Sequence, residues 1–337
     1  MAMAKALITD AAGLALSADE RAFFRDADPW GFIIFKRNVE TPDQLRALTD
    51  SMRDSLGREA PILVDQEGGR VQRLAPPHWP NYPPGAHYGA LYDRDEKAGL
   101  RAAWLGSRLI AHDLHEVGID VDCLPLADVP VSEADPVIGN RAYGTTPAKV
   151  AAIAGAVAEG LLAGGVLPVL KHIPGHGRAT ADSHLALPVV SADRPTLEVT
   201  DFAAFRPLAK LPLGMTAHVV FTAIDPVAPA TTSVTMVRKV IRGHIGFDGL
   251  LMSDDISMKA LSGTLAERAR ASLAAGCDVV LHCNGSFDER RQVADACPPL
   301  AGDAKRHADV ALAARRAPAP FDVVAAREEF AATSASA

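Results

Sequence analysis

Eight short apolar runs punctuate this chain, and they restrict its fold more than any other feature. They are Ala6–Thr9, Gly31–Phe35, Pro61–Val64, Ile119–Leu124, Val166–Leu170, Leu213–Ala217, Leu250–Ser253 and Asp278–His282. Each is followed by a polar tip and then by a segment with helical spacing. Unbroken runs of Val, Ile and Leu mark strands buried on both faces, as in a parallel sheet covered by helices. The helical segments have legible starts: Thr41-Pro42 and Thr146-Pro147 pair a capping hydroxyl with a proline in the first turn. Asp95 to His115 is long and amphipathic, Ser233 or Thr235 is placed to cap a helix through Ile241, and Gly276 follows Leu265–Ala275 as a terminating glycine.

A strand–helix unit repeated eight times without a break in composition predicts an α/β fold, a single (β/α)8 TIM-type barrel over residues 1–330. The alternative, a doubly wound open sheet, calls for a Gly-rich phosphate loop after the first strand, and Asp10-Ala11-Ala12-Gly13 is a poor one. A length of 337 residues, 48% of them hydrophobic, is ample for one large core. Residues 331–337, an Ala/Ser/Thr run after an Ala/Pro-rich stretch, read as a disordered tail.

In a barrel of this kind chemistry sits at the C-terminal ends of the strands. Here those ends carry Asp65-Gln66-Glu67, Asp128 with the later Asn140-Arg141, Lys171-His172, His218, Asp254-Asp255 and His282-Cys283-Asn284. Charge gathered on one face would be costly if buried without partners, which points to an enzyme. Each residue also has a plainer role open to it: Asp254 or Asp255 as a helix cap, Asp65 as a turn residue, His218 as a hydrogen-bonded core histidine, Arg141 and Lys171 as partners of structural carboxylates.

The densest stretch is Lys171-His172-Ile173-Pro174-Gly175-His176-Gly177-Arg178-Ala179-Thr180-Ala181-Asp182-Ser183-His184. His172 and His176 are four apart, the spacing of a helical metal site, but Pro174, Gly175 and Gly177 disfavour a helix. A non-helical His172/His176/Asp254 metal site stays open as an alternative. Asp182 and His184 project to one side of an extended segment. A carboxylate there orients one imidazole nitrogen and leaves the other to move a proton. With Asp254 as a separate carboxylate, this is a two-group plan for cleaving a glycosidic bond, histidine standing where a carboxylic acid normally does.

At these residues the chain resembles family 3 glycoside hydrolases of the β-N-acetylhexosaminidase type. Lys-His-Ile-Pro-Gly-His-Gly with the following Asp-Ser-His matches that family's signature. Val64–Leu74, Gly139–Gly144 and Ser253–Met258 match three further blocks in the same order, and Gly31–Asn38 also fits. The similarity spans about residues 10 to 285. The resemblance implies a (β/α)8 barrel and a retaining, two-step mechanism. Asp254 would be the nucleophile, His184 the acid/base and Asp182 its orienting partner. Asp65, Arg73, Arg141, Lys171 and His172 would hold the sugar, and the Asp-Ser-His loop would be mobile. No metal and no organic cofactor is implied. Two departures, Ile173 where relatives commonly have Phe and Thr222-Ala223-Ile224-Asp225 in place of a Pro- and aromatic-containing variant, leave that chemistry untouched.

The compact length resembles single-domain Gram-negative members acting in the cytoplasm on peptidoglycan fragments. The expected substrate is therefore GlcNAc linked to 1,6-anhydro-MurNAc, with or without peptide. The N-terminal stretch has no sustained apolar segment of the signal-peptide type, and Val150–Leu170 is too interrupted to span a membrane. A net charge of −7 with interspersed signs speaks against nucleic acid or an anionic membrane as partner. Four cysteines without CxxC pairing read as reduced core residues. Oligomeric state is open, a monomer being the default. Two rival functions remain: a β-glucosidase of the same family, and a non-catalytic muropeptide-binding sensor.

Overall fold

The computed structural model describes residues 3–183 and 185–334. Eight parallel strands form one sheet: β1 (Lys5–Asp10), β2 (Pro29–Ile34), β3 (Ile62–Val64), β4 (Val121–Asp122), β5 (Leu167–Ile173), β7 (Leu213–Thr216), β9 (Leu250–Met252) and β10 (Val280–Leu281). The order is β10-β1-β2-β3-β4-β5-β7-β9. The remaining seam, β9 to β10, is drawn together by a parallel bridge between Met252 and Val279 and by Asp278 N donating to Leu251 O at 2.7 Å. The expected (β/α)8 barrel is the fold observed. Two further short strands, β6 (Val189–Val190) and β8 (Val220–Phe221), pair in parallel outside it.

Side-chain alternation along the strands sorts the core into two clusters. Leu7, Phe32, Ile34, Ile62, Val64, Leu170 and Leu251 pack outward against the helices. Ala6, Ile8, Ile33, Leu63, Val121, Cys123, Leu167, Val169, Leu213, Met215, Leu250, Met252 and Leu281 form a second cluster that takes members from all eight strands, the filled barrel interior. This parity positions the site. Two residues beyond Ile8, Leu63, Val169, Met252 and Leu281 on the inward side stand Asp10, Asp65, Lys171, Asp254 and Cys283. The polar ends of the strands are the top layer of the barrel filling.

Local chemistry explains the helix ends. Ser17 and Glu20 form a reciprocal capping box on Ala18–Ala27, as do Thr264 and Glu267 on Leu265–Ala275. Thr41 caps Pro42–Leu56 through Gln44 N, whereas Thr146 holds the cap position of Pro147–Ala163 without a side-chain bond. Gly276 ends its helix at φ 116°, a conformation that favours glycine. The segment Met236–Ile245 is wound as a π-helix, with Ser233 Oγ accepting from Met236 N. All four cysteines are free and buried. Among the described residues no helix is long and apolar enough to cross a membrane.

The stretch read as a disordered tail is corrected in part. The last helix, Val323–Ser334, runs through Ala331–Ser334, and residues 335–337 lie outside the described residues. Alanine favours the helix, and tertiary contacts fix it. Phe330 packs on Tyr82 and Tyr88, Arg327 pairs with Asp113 at 2.7 Å, and Glu329 pairs with Arg101 at 2.7 Å.

Candidate active site

A pocket of about 220 Å³ opens at the C-terminal end of the strands. Asp65, Arg73, Arg141, Lys171, His172 and Asp254 all line it, with Ile33, Phe35, Val71, Val137, Ile138, Met215, Met258 and Leu281 as apolar wall. Six of the eight residues nominated from the sequence thus meet in one cavity, from strand ends far apart in the chain. Of the other two, Asp182 does not line the pocket but precedes Ser183, which does. His184 lies outside the described residues.

One side of the pocket is a charged network. Lys171 Nζ lies 2.9 Å from Asp65 Oδ1 and 2.6 Å from Glu67 Oε1. Arg141 grips Glu67 with two parallel bonds of 2.9 and 2.8 Å, the bidentate geometry its planar fork allows. Arg73 donates to Asp65 Oδ2 at 3.2 Å. Burial alone would raise both carboxyls, but Lys171 first, then Arg73 at Asp65 and Arg141 at Glu67, hold them below the ordinary range. Burial opposes the charge on Lys171, yet Asp65 and Glu67 raise its pKa above the usual lysine value. Both partners therefore stay ionised, as fixed donors and acceptors of the kind that select hydroxyl-bearing ligands.

Asp128, fully buried, organises the two histidines after β5. Its Oδ2 is 2.7 Å from His172 Nδ1, and its Oδ1 accepts from His176 N at 2.7 Å. Burial would raise Asp128, but His172 first and then His176 together outweigh it, leaving a lowered pKa. An ionised carboxylate only accepts, so His172 Nδ1 carries a hydrogen. The two rings meet edge to face at 5.8 Å. His176 Nε2 reaches Ser183 Oγ at 3.1 Å. Burial, then the neighbouring His172, pulls the His176 pKa down to about 4, so it is neutral at pH 7.

The Asp254-Asp255 pair divides its labour. Asp254 is half-buried at the pocket, with Oδ1 accepting from Asp255 N at 2.8 Å. Asp255 ties down the turn: Oδ1 accepts from Ser257 N at 3.0 Å and Cys283 N at 3.3 Å, and Oδ2 accepts from the Ser257 hydroxyl at 2.5 Å. His218, wholly buried, contacts Asp255 O through Nε2 at 3.0 Å and Thr231 Oγ1 through Nδ1 at 2.7 Å. It is a hydrogen-bonded core histidine, one of the roles open to it from the sequence, and it steadies the residue after Asp254.

Glu67, Asp128 and Asp255 stand among the polar strand ends of the sequence without an assigned role in the chemistry, and Ser183 has none either. Glu67 lies in the Asp65–Arg70 block and Ser183 inside the Asp-Ser-His triplet, so adjacency was the available signal. Among the described residues no group of three or more His, Cys, Asp or Glu is placed to hold a metal ion.

A cavity with fixed charged groups and a carboxylate, at the catalytic end of a barrel, is the layout of a barrel enzyme acting on a polar small molecule. The glycosyl hydrolase family 3 N-terminal domain model matches residues 7–305. A β-hexosaminidase of Alkalilimnicola ehrlichii is 41% identical over 276 residues, covering 81% of this chain and 78% of that protein. One of Chromobacterium violaceum is 38% identical over 297 residues, covering 87% and 82%. The crystal structure of NagZ from Neisseria gonorrhoeae in complex with N-trifluoroacetyl-D-glucosamine superposes with a TM-score of 0.87 at 32% identity, covering 99% of this chain and 97% of that one. The chain belongs to glycosyl hydrolase family 3.

Proposed function

We propose that the protein is a retaining exo-β-N-acetylglucosaminidase that removes non-reducing terminal GlcNAc. The observation that carries this reading is Asp254, at the inner-face end of β9, sharing a small pocket with the Asp65–Lys171–Glu67–Arg141 network. The network and Arg73 bind the sugar hydroxyls and, with His172, fix the ring. Asp254 attacks the anomeric carbon and the glycosidic bond breaks, giving a glycosyl-enzyme. His184, oriented by Asp182, protonates the leaving oxygen and then deprotonates the water that releases GlcNAc. The scheme uses no metal and no organic cofactor. The N-acyl aminosugar in the Neisseria gonorrhoeae structure and the β-hexosaminidase names of the relatives support this sugar class.

The natural substrate we propose is GlcNAc linked to 1,6-anhydro-MurNAc, with or without peptide, processed in the cytoplasm by a monomer. The test is a side-by-side rate measurement on nitrophenyl β-N-acetylglucosaminide and β-glucoside, with NMR of the first-formed anomer. Preference for the aminosugar with β-GlcNAc appearing first is the expected result. A faster β-glucoside would select the glucosidase reading, α-GlcNAc would remove the two-step mechanism, and binding without turnover would select the sensor.

A further inference from the structure

The chain runs from Val64 at the end of β3 to the helix Gly85–Arg94 without a strand or helix of its own, apart from an isolated bridge between Gly68 and Val71. Arg73, one of the sugar-holding residues proposed above, stands on this segment. A loop of that kind does not by itself hold a guanidinium in place. The contacts at the head of Arg73 are modest: one bond to Asp65 Oδ2 at 3.2 Å, and the ring of Phe35 at 5.6 Å. Its backbone is held by a side chain from earlier in the same segment.

That side chain is Gln66, 2% exposed and outside the lining of the pocket. Gly68 and Gly69, at φ 91° and 57°, reverse the chain just after it and bring residues 71–74 back alongside. Gln66 Oε1 accepts from Arg73 N at 2.8 Å and from Leu74 N at 3.0 Å, and Nε2 donates to Leu74 O at 2.8 Å. The side-chain amide thus does for Arg73 and Leu74 what a neighbouring strand would do. Its own N–H donates to Asp122 Oδ1 at 3.0 Å, and Asp122 is wholly buried on β4. The barrel wall, Gln66 and the backbone of Arg73 form one continuous tether.

We propose that Gln66 is a positioning residue for sugar binding: its amide sets the backbone from which Arg73 reaches the pocket. The inference rests on the glycosidase reading above, which gives Arg73 its sugar. The residue type follows from the contacts. An acceptor and a donor are both needed on one planar head, which an amide has and a carboxylate lacks. Methionine spans a similar length but would leave two buried N–H groups unpaired, a cost the segment escapes by moving. Gln72 holds the far side of the turn. Its Nε2 donates to Leu74 O and Pro80 O, both at 2.9 Å, and its Oε1 accepts from Tyr82 N at 3.0 Å. None of these bonds reaches Arg73 N, which is left to Gln66. A guanidinium displaced by about an ångström loses the alignment its fork requires.

The test is a double-mutant cycle on the whole protein. It is read as KM and kcat on nitrophenyl β-N-acetylglucosaminide and as GlcNAc binding by ligand-observed NMR. Gln66→Ala and Gln66→Met should each raise KM about tenfold, the value of a charged hydrogen bond, with kcat within about twofold of wild type. GlcNAc binding should weaken to the same extent. Gln66→Met keeps volume and reach, so it guards against loss of fold through a cavity, and urea titration fixes the folded fraction of each variant. Added to Arg73→Ala, either change should alter KM by less than about twofold, because the guanidinium it positions is gone. A KM rise of full size in the Arg73→Ala background, a loss in kcat alone, or a wild-type KM in the folded single variants would overturn the proposal. A wild-type protein with neither turnover of the aryl aminosugar nor binding of GlcNAc would instead remove the glycosidase reading itself.

Discussion

His176 Nε2 and Ser183 Oγ, seven residues apart, meet at 3.1 Å in a buried contact. The bond joins the rigid end of β5 to the residue between the two members of the proposed proton-transfer pair. Ser183 O also accepts from Ala260 N at 3.2 Å, so this turn is clasped from two sides. Ser183→Ala keeps the backbone half of the clasp and leaves His176 Nε2 without its hydroxyl. We expect a stability loss of about 1–3 kcal/mol. We also expect a fall in kcat with KM nearly unchanged on chitobiose, measured with the folded fraction fixed by denaturant titration. A change confined to KM would count against a positioning role.

Asp254→Ala should reduce turnover by about 10⁴-fold or more, the scale seen when a covalent nucleophile is deleted. Asp254 caps no described helix, so thermal unfolding should stay close to wild type. Asp255→Ala should behave differently. It releases Ser257 and Cys283 as well as the turn, so it should lose stability as well as activity.

His184→Ala separates acid catalysis from the rest. The loss should be about 10²–10⁴-fold on chitobiose, whose leaving oxygen needs a proton. It should be far smaller on an activated aryl glycoside, and Asp182→Asn should show the same pattern in milder form. Steady-state rates on the two substrates check this, and equal losses on both would remove the acid role.

How far the sequence disclosed this arrangement depends on the range over which each feature is decided. The barrel strands were legible because burial on both faces leaves unbroken apolar runs. The run Ile119–Leu124 narrows to a two-residue β4 because only Val121 and Asp122 pair in register with both neighbours. The β6–β8 pair left no signal, since two residues carry no period. Glu67 has no assigned role in the sequence because that role exists only through residues 74 and 104 positions away, Arg141 and Lys171. Strand spacing alone does not tell Asp254 from its neighbour Asp255, and only the family resemblance singles out the first. The inward parity of Leu250 and Met252 separates them.

Glu67→Gln tests that network. It removes the charge facing Lys171 and Arg141 while keeping the shape of the side chain. Breaking a buried pair by neutralising one partner costs about 3–5 kcal/mol, because the other charge is left uncompensated. The loss should appear in urea unfolding, together with a raised KM for the aryl aminosugar. A silent substitution would mean that Asp65 alone satisfies Lys171.

The neutral His176 gives stability a pH dependence on the acid side. Its folded pKa, about 4, lies below the ordinary 6.5. Above pH 6.5 folded and unfolded chains are both neutral here. As pH falls from 6.5 towards 4 the unfolded chain takes up a proton that the folded chain refuses, so stability is lost through that window. The loss reaches about 3 kcal/mol. Burial and His172 oppose protonation, while Asp128 and the more distant Asp254 favour it. His218, also depressed by burial, acts in the same direction. His176→Gln keeps a partner for Ser183 but cannot titrate. Its unfolding free energy should therefore fall less than the wild type's between pH 7 and pH 4.5, when both are followed by urea titration. Parallel curves for the two proteins would show that the ring is not held neutral.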